Sequence, residues 1–240
     1  AREKAGVLQP GCVAISGPQH PEVRAVLASQ ASACAAQLQW VDPLPQNAAG
    51  DLLIEAQWCP CGLPGTVQSS NAAVALGVCQ ALAQQGWPID AAALRAGFAA
   101  ARWPGRLQQR VWRGIPLLLD GAHNPPAAQA LRVELDTHPG RHGLAPGPRH
   151  WVIGMLANKQ GPEVLSALLA PGDRAWVVPV PGHASWSWEA LLEALPMCRD
   201  QLCPAPDLAT ALTLAGTDAS EPVVVTGSLY LLAELSGDSP

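Results

Sequence analysis

The stretch Ile115-Pro116-Leu117-Leu118-Leu119-Asp120-Gly121-Ala122-His123-Asn124-Pro125-Pro126 joins a short apolar run to a turn and then to the start of a helix. Asn is a favoured helix N-cap and Pro suits the first helical turn, so a helix is predicted to begin at Asn124-Pro125. Asp120 and His123 are therefore expected at the carboxyl end of a strand, where open α/β sheets place ligand-binding groups. On spacing alone, the pattern fits equally well a strand-to-helix turn that is purely structural and has no binding or catalytic role.

The chain after this stretch alternates short apolar runs with helical segments. A hairpin is predicted over 107–112 and 115–119, helices over 126–136, 163–169, 188–195 and 208–215, and strands over 150–155, 174–179, near 201 and over 222–226. Strands separated by helices of this length indicate an α/β fold, with a mostly parallel sheet and helices on both faces. The Gly- and Pro-rich segment 139–148 is predicted to be a surface loop.

The first hundred residues have a less regular pattern. Strands are predicted over 13–16 and 51–58, and helices over 21–38, 71–85 and 91–101, the last of them capped by Asp90. The stretch Arg102-Trp103-Pro104-Gly105 breaks this last helix. It predicts a domain boundary that separates residues 1–102 from residues 103–240.

The composition is that of a globular chain, with 49% apolar and 14% charged residues. No apolar run approaches the roughly 20 residues that span a bilayer, so no membrane association is expected. The net charge of −5 argues against a nucleic-acid partner. Seven scattered cysteines indicate a reducing compartment, and we expect a cytoplasmic protein. The spacing of Cys59-Pro60-Cys61 is too short for a zinc site and favours a plain turn.

The phosphate-binding loop Gly-x-x-x-x-Gly-Lys-Ser/Thr is absent from the sequence, whose two lysines are Lys4 and Lys159. The chain also opens on Ala1-Arg2-Glu3 without a methionine, as though it had been cut from a longer protein. We therefore expect a truncated chain.

Four motifs occur together in one order: Glu-Lys-Ala-Gly at 3–6, Gly-Arg-Leu-Gln at 105–108, Asp-Gly-Ala-His-Asn-Pro at 120–125 and Thr-Gly-Ser at 226–228. In this the sequence resembles the folylpolyglutamate synthase/dihydrofolate synthase family, which is related to the Mur ligases. The resemblance runs from end to end. It implies that residues 1–102 are the tail of the central P-loop ATPase domain and that residues 103–240 are the C-terminal, Rossmann-like domain.

The same resemblance implies the reaction, an ATP- and Mg²⁺-dependent ligation of L-glutamate to dihydropteroate, to tetrahydrofolate or to a folylpolyglutamate through an acyl phosphate. Most contacts to Mg²⁺ and to the pterin would belong to the missing N-terminal part, so this chain alone is expected to be inactive. A monomer is expected.

Site residues also follow from the resemblance. Lys4 would be the lysine that becomes N6-carboxylated, because a carbamate offers Mg²⁺ hard oxygen ligands whereas an ammonium repels it. Asn71, Arg106 and Asp120 would contact ATP, and His123 would help to lock the closed interface. Ser228 and Lys159 would lie at the substrate.

Each of these residues also has a structural interpretation. Lys4 could be a solvated lysine beside Glu3, and Asn71 or His123 could act as helix caps. Arg106 could be an exposed arginine at a strand edge. Lys159 is flanked by the amides Asn158 and Gln160 where relatives show Asp-Lys-Asp, which leaves a purely structural turn open.

Two other functions stay open from the sequence. A Mur-type amino-acid ligase of peptidoglycan synthesis has a comparable Asp-x-x-His-Asn-Pro turn, although the motifs at 3–6 and 105–108 favour the folate branch. The missing phosphate loop would also suit a non-catalytic module that binds a nucleotide or glutamate.

Overall fold

A computed structural model describes residues 1–217 and 221–235, and the chain divides into two compact units, Ala1–Arg102 and Trp103–Pro240. Residues 218–220 and 236–240 of the second predicted domain lie outside the described residues. In the described part of the chain, no helix has both the length and the apolar character needed to cross a membrane.

The first unit contains parallel and antiparallel strand pairs beside helices. Its elements are α1 (Arg2–Ala5), β1 (Val13–Ser16), α2 (Pro21–Ala33), β2 (Gln37–Trp40), β3 (Leu52–Ile54), β4 (Gln57–Cys59), α3 (Gln68–Gln84) and α4 (Ala91–Ala100). Strands β1 and β2 pair in parallel, while β3 and β4 form an antiparallel hairpin. Leu52, Ile54 and Cys59 of this hairpin form a small core with Leu76 of α3 and Leu94 of α4.

Two predictions for this unit are wrong at their boundaries. The predicted helix 21–38 ends at Ala33, because Ala35 adopts a left-handed φ of 54° and the chain turns into β2. The predicted strand 51–58 is a hairpin that turns at Glu55 and Ala56, whose φ values are 49° and 63°. Glycine or asparagine usually fills such positions, so these turns lack their ordinary sequence signal. By contrast, Asp90 caps α4 as predicted and accepts a hydrogen bond from the N–H of Ala93.

The second unit is built on one large sheet. Its elements are β5 (Gln108–Trp112), β6 (Ile115–Leu119), α5 (Pro125–Thr137), β7 (His150–Ile153), α6 (Gly161–Leu168), β8 (Arg174–Val177), α7 (Trp188–Ala194), β9 (Leu202–Pro204), α8 (Leu208–Gly216), β10 (Val223–Thr226) and α9 (Leu229–Glu234), with short 3-10 turns at Pro139–His142 and Pro196–Cys198. Among the described residues, the sheet has six strands in the order β5-β6-β10-β7-β8-β9. The β5–β6 pair is antiparallel and every other pairing is parallel.

Both faces of this sheet are covered, which confirms the predicted α/β architecture. Helices α5, α6 and α7 cover one face, and α8 and α9 cover the other. Strand β10 shows why the strands read as continuous apolar runs, since Val224 points to the first face while Val223 and Val225 point to the second.

The segment 139–148, predicted to be a surface loop, is partly internal. His142 and Leu144 are buried. The Nε2 atom of His142 lies 3.0 Å from Oε1 of the buried Glu134 on α5. The prediction from Gly and Pro content is therefore wrong for these two residues. Their burial comes from tertiary contacts, which the Gly and Pro content of the segment does not reveal.

Candidate functional site

The carboxyl ends of the three central strands β6, β10 and β7 form one cross-linked edge. The N–H of Asp120 donates to the carbonyl of Val225 at 3.0 Å, and the N–H of Gly154 donates to Thr226 at 3.3 Å. The carbonyl of Ala122 accepts from the N–H of Gly227 at 3.0 Å and from Oγ1 of Thr226 at 3.2 Å. The turns that follow these strands are therefore held in fixed register at the edge where α/β proteins bind ligands.

Asp120 connects this edge to the segment that leads into β5. Its Oδ1 accepts from the N–H of Ala122 at 2.9 Å, and its Oδ2 accepts from the N–H of Leu107 at 3.1 Å. The carboxyl is buried, and burial raises the pKa of Asp120 above its ordinary value of 3.8, although both backbone hydrogen bonds and the charge of Arg106 act in the opposite direction. Asp120 thus fixes the positions of its neighbours in addition to carrying a charge.

Arg106 lies in a backbone segment that is clamped on both sides. The N–H of Gly121 donates to the carbonyl of Gly105 at 2.8 Å, and Gly105 and Leu107 both have positive φ, 70° and 45°. The guanidinium of Arg106 is partly exposed and forms no hydrogen bond or ion pair with any described residue. Its donors are therefore available to an anion, and a guanidinium is well suited to bind phosphate.

His123 has a defined tautomer. Its Nδ1 lies 2.8 Å from the carbonyl of Gly121, and since a carbonyl can only accept, Nδ1 carries the hydrogen. In the neutral ring, Nε2 is then an acceptor. The next residue, Asn124, caps α5 by accepting from the N–H of Ala127 at 3.0 Å, as the sequence predicts. The ring of His123 bonds back to Gly121 and the cap bond of α5 comes from Asn124, so the structure gives no support to a second cap at His123.

Ser228 occupies the matching turn after β10. Its Oγ caps α9 and accepts from the N–H of Tyr230 at 3.2 Å, and the side chain is buried. The preceding Gly227 has a φ of 101°, and a Cβ there would lie 2.6 Å from the carbonyl oxygen of Gly154. This close approach explains the glycine in the Thr-Gly-Ser motif.

Lys159 lies on the loop after β7. Its carbonyl accepts from Nε1 of Trp186 at 2.9 Å, so the backbone has the structural turn role considered above. The ammonium forms no hydrogen bond or ion pair within the described residues, and the side chain is partly exposed.

Two predicted site residues belong to the first unit. Lys4 lies on α1 with its side chain exposed and forms an ion pair with Glu3 at 3.3 Å. Asn71 is exposed in the first turn of α3, where its Nδ2 donates to Oε1 of Gln68 at 3.0 Å. The helix begins at Gln68, so the N-cap interpretation of Asn71 is wrong. The structure thus brings Arg106, Asp120, His123 and Ser228 together on one sheet edge, while Lys4 and Asn71 lie on the other unit.

The edge contains one pair of residues that the sequence analysis missed. The rings of His183, from the loop after β8, and Tyr230, from α9, stack with centroids 4.1 Å apart. Tyr230 follows the Thr-Gly-Ser motif and could have been noticed there. His183 lies in a Pro-Gly-His segment that carries no motif signal.

The described residues offer few side-chain ligands for a metal ion. Among the described residues, no group of three or more His, Cys, Asp or Glu side chains is arranged to hold a metal ion. Glu3 beside Lys4 offers a single carboxylate, which is too few ligands for Mg²⁺ without further protein groups.

Similarity to known proteins agrees with this geometry. The sequence profile described as "Dihydrofolate synthetase, C-terminal domain" matches residues 105–237. The chain is 30% identical to the folylpolyglutamate synthase of Lacticaseibacillus casei, over 96% of this chain and 55% of that protein. It spans about half the length of the curated relatives it matches.

Solved structures show the same likeness. Mycobacterium tuberculosis folylpolyglutamate synthase complexed with ADP and AMPPCP has a TM-score of 0.80 and 28% identity, over 100% of this chain and 59% of that chain. A bifunctional folylpolyglutamate synthase/dihydrofolate synthase with Mn, AMPPNP and L-glutamate bound has a TM-score of 0.74 and 30% identity, over 98% of this chain and 55% of that chain. Residues 105–237 match the C-terminal domain profile of dihydrofolate synthetase, and the chain belongs to the folylpolyglutamate synthase/dihydrofolate synthase family.

Proposed function

We propose that this chain is part of a cytoplasmic, monomeric, ATP-dependent ligase that adds L-glutamate to dihydropteroate or to a folylpolyglutamate. The substrate carboxylate takes the γ-phosphoryl group of ATP and ADP leaves. The glutamate amine then attacks the acyl phosphate, and inorganic phosphate leaves as the amide forms. Residues 1–102 would be the tail of the central ATPase domain, and residues 103–240 would be the C-terminal domain.

One observation carries this proposal. The buried carboxylate of Asp120 bonds the N–H groups of Leu107 and Ala122, which places Arg106 and His123 on the same sheet edge with polar atoms that no described residue uses. A ligase of this kind needs such an edge, because it must bind anionic phosphates and carboxylates and keep them oriented.

Arg106 would bind ATP phosphate through its guanidinium. Asp120 would act in two ways, by fixing the backbone that positions Arg106 and by offering its remaining lone pairs to a nucleotide hydroxyl. Asn71, on the first unit, would contribute an exposed amide to the nucleotide.

His123, Ser228 and Lys159 would contribute to the amino-acid substrate. The ammonium of Lys159 is a suitable partner for a glutamate carboxylate. The acceptor Nε2 of neutral His123 suits a group that carries a hydrogen, such as the substrate amine. His123 would thus orient the nucleophile and help to lock the closed site.

Lys4 would be N6-carboxylated and bind Mg²⁺ only when other protein groups supply further metal ligands. In this chain the neighbouring carboxylate is that of Glu3. In the isolated chain we expect an unmodified ammonium, because the exposed side chain offers a carbamate no cationic partner. Carbon-13 NMR with labelled bicarbonate measures this directly. A carbamate signal that is lost in Lys4→Arg would show that the first unit stabilises the modification by itself.

Titration of the chain with L-glutamate and with AMPPNP, followed by backbone amide NMR, tests the proposal. We expect glutamate to shift amides near residues 121–123 and 227–230, with D-glutamate as the matched control ligand. Lys159→Ala and Arg106→Ala should weaken glutamate and nucleotide effects respectively. Equal shifts with both enantiomers, or shifts confined to other parts of the sheet, would contradict the assignment. The chain alone, incubated with ATP, dihydropteroate and glutamate, should form no amide.

A further inference from the structure

A cavity of about 260 Å³ opens in the second unit on the face covered by α8 and α9. Its apolar walls are formed by Trp112 at the end of β5, by Pro179 and Pro181 after β8, and by Leu208 and Leu212 of α8. The cavity is smaller than the pockets that hold drug-sized ligands, which are roughly 300–1,000 Å³. Its size therefore suits a compact molecule that can cover an apolar wall.

Three charged residues border the cavity: Arg113, Asp207 and Glu234. Asp207 caps α8 by accepting from the N–H of Thr210 at 2.7 Å, which lowers its pKa and keeps it ionised. Burial and then the charge of Asp207 raise the pKa of Glu234, so the two carboxylates lie close enough to repel each other. Neither acid forms an ion pair with any residue in the described ranges.

The single arginine at the cavity does not neutralise these acids. The guanidinium of Arg113 lies over the ring of Trp112, 4.6 Å from its centroid. This cation–π contact holds the positive charge against the indole. With one arginine and two acids, the charged side chains at the cavity carry a net negative charge beside its apolar walls.

We propose that this cavity binds a small organic cation with an apolar body, such as an alkylammonium or arylalkylammonium, with its ammonium toward Asp207 and Glu234 and its hydrocarbon against the apolar walls. An anion would face two carboxylates, and a fully apolar ligand would leave the crowded charges uncompensated. A cation neutralises the acids while its body replaces water on the walls. The cavity shares no lining residue with the proposed glutamate and nucleotide groups, so this second site is independent of the proposed function.

Three probes of nearly equal size and different charge test this proposal: 2-phenylethylammonium, 2-phenylethanol and phenylacetate. Each is titrated into the chain while amide resonances of α8 and α9 and the indole N–H of Trp112 are followed by NMR. We expect saturable shifts with the ammonium, much weaker shifts with the alcohol and none with phenylacetate. Added salt should weaken ammonium binding, because both acids are exposed to solvent.

Substitution of the two acids provides a second test of the proposal. Asp207→Asn keeps a good helix cap and removes the charge, and Glu234→Gln keeps the side-chain shape. Each should weaken ammonium binding by about threefold, as expected for one solvent-exposed charge pair. Glu193→Gln, an exposed acid on α7 away from the cavity, is the matched control. Absence of saturable ammonium shifts, equal binding of the alcohol, or folded Asp207→Asn and Glu234→Gln variants that bind as tightly as the original would overturn the proposal.

Discussion

Asp120 and Leu107 are joined by a hydrogen bond of 3.1 Å between the buried carboxylate Oδ2 and a backbone N–H thirteen residues earlier in the chain. The other oxygen of the same carboxylate holds Ala122 at 2.9 Å. A single side chain therefore connects the segment before β5 to the turn after β6. The two groups most available for ligands, Arg106 and His123, each lie next to one of these bonded residues.

Removal of the Asp120 carboxylate should destabilise the second unit. Asp120→Ala leaves the buried N–H groups of Leu107 and Ala122 without their acceptor, at about 1–3 kcal/mol for each. Hydrogen exchange of β6 and β10 amides measures the second unit separately from the first. The exposed Asp200 serves as the control, since Asp200→Ala should change stability by no more than about 0.5 kcal/mol. Equal protection in both variants would contradict this assignment.

Asp120 should also affect how the stability depends on pH. Because burial makes its pKa higher in the folded chain than in the unfolded chain, the unfolded state loses its proton first as the pH rises. The contribution of this group to the free energy of unfolding is thus full below pH 3.8 and is lost as the pH rises through the folded-state pKa. Asp120→Asn should remove this slope from urea unfolding measured across the acid range. A slope that persists in the variant would assign it to another group.

Gly227→Ala should destabilise the second unit more than the same substitution at Gly182. Both glycines have positive φ, 101° and 70° respectively, so alanine would be strained by the left-handed backbone at either position. At Gly227 the added Cβ would also meet the carbonyl oxygen of Gly154 at 2.6 Å, whereas at Gly182 nothing lies within 4 Å. We expect a loss of about 1 kcal/mol at Gly182 and of about 3 kcal/mol at Gly227. Urea midpoints that coincide would show that the edge relaxes around the methyl group.

Asp173 is the second buried carboxylate whose loss should be severe. It accepts from Arg132 at 2.5 Å, from Nε1 of Trp151 at 3.0 Å and from the N–H of Arg149 at 2.8 Å. Asp173→Ala leaves the charge of Arg132 without this buried partner, and we expect a loss of about 3–5 kcal/mol. The exposed partner of the same arginine, Asp136, provides the comparison, and Asp136→Ala should cost less than about 1 kcal/mol. Similar thermal midpoints for the two variants would contradict this ranking.

The sequence predicts those elements whose signals are local. Asp90 and Asn124 cap their helices as their side-chain chemistry indicates, and the Val run of β10 is a buried parallel strand. The turns at Ala35 and at Glu55-Ala56 escape prediction because no glycine or asparagine occupies their left-handed positions. At both turns, the pairing of the strand that follows outweighs the backbone preference of the turn residues.

In the candidate site, too, features with a local sequence signal are predicted and features that depend on tertiary contacts are not. The strand-to-turn pattern predicts the position of Asp120 and His123 at a sheet edge, and the structure places them there. The predicted hairpin brings Leu107 opposite Asp120, but the hydrogen bond between them could not be predicted, since it depends on the orientation of the Asp120 side chain and on the left-handed backbone of Leu107. The contact of His183 with Tyr230 likewise requires the loop after β8 and the start of α9 to meet across the end of β7.

The isolated chain should bind ATP only weakly. Among the predicted nucleotide contacts, the second unit offers the guanidinium of Arg106 and the remaining lone pairs of Asp120, whose two oxygens each already accept one backbone hydrogen bond, and the first unit offers the amide of Asn71. Two or three hydrogen bonds at about 1 kcal/mol net each fall short of the about −4 kcal/mol that corresponds to millimolar binding. Isothermal titration with ATP and Mg²⁺ should therefore give a dissociation constant in the millimolar range or weaker. Arg106→Ala should weaken binding further, while the exposed Arg199→Ala should not. A micromolar constant that Arg106→Ala leaves unchanged would place the nucleotide site on other residues of this chain.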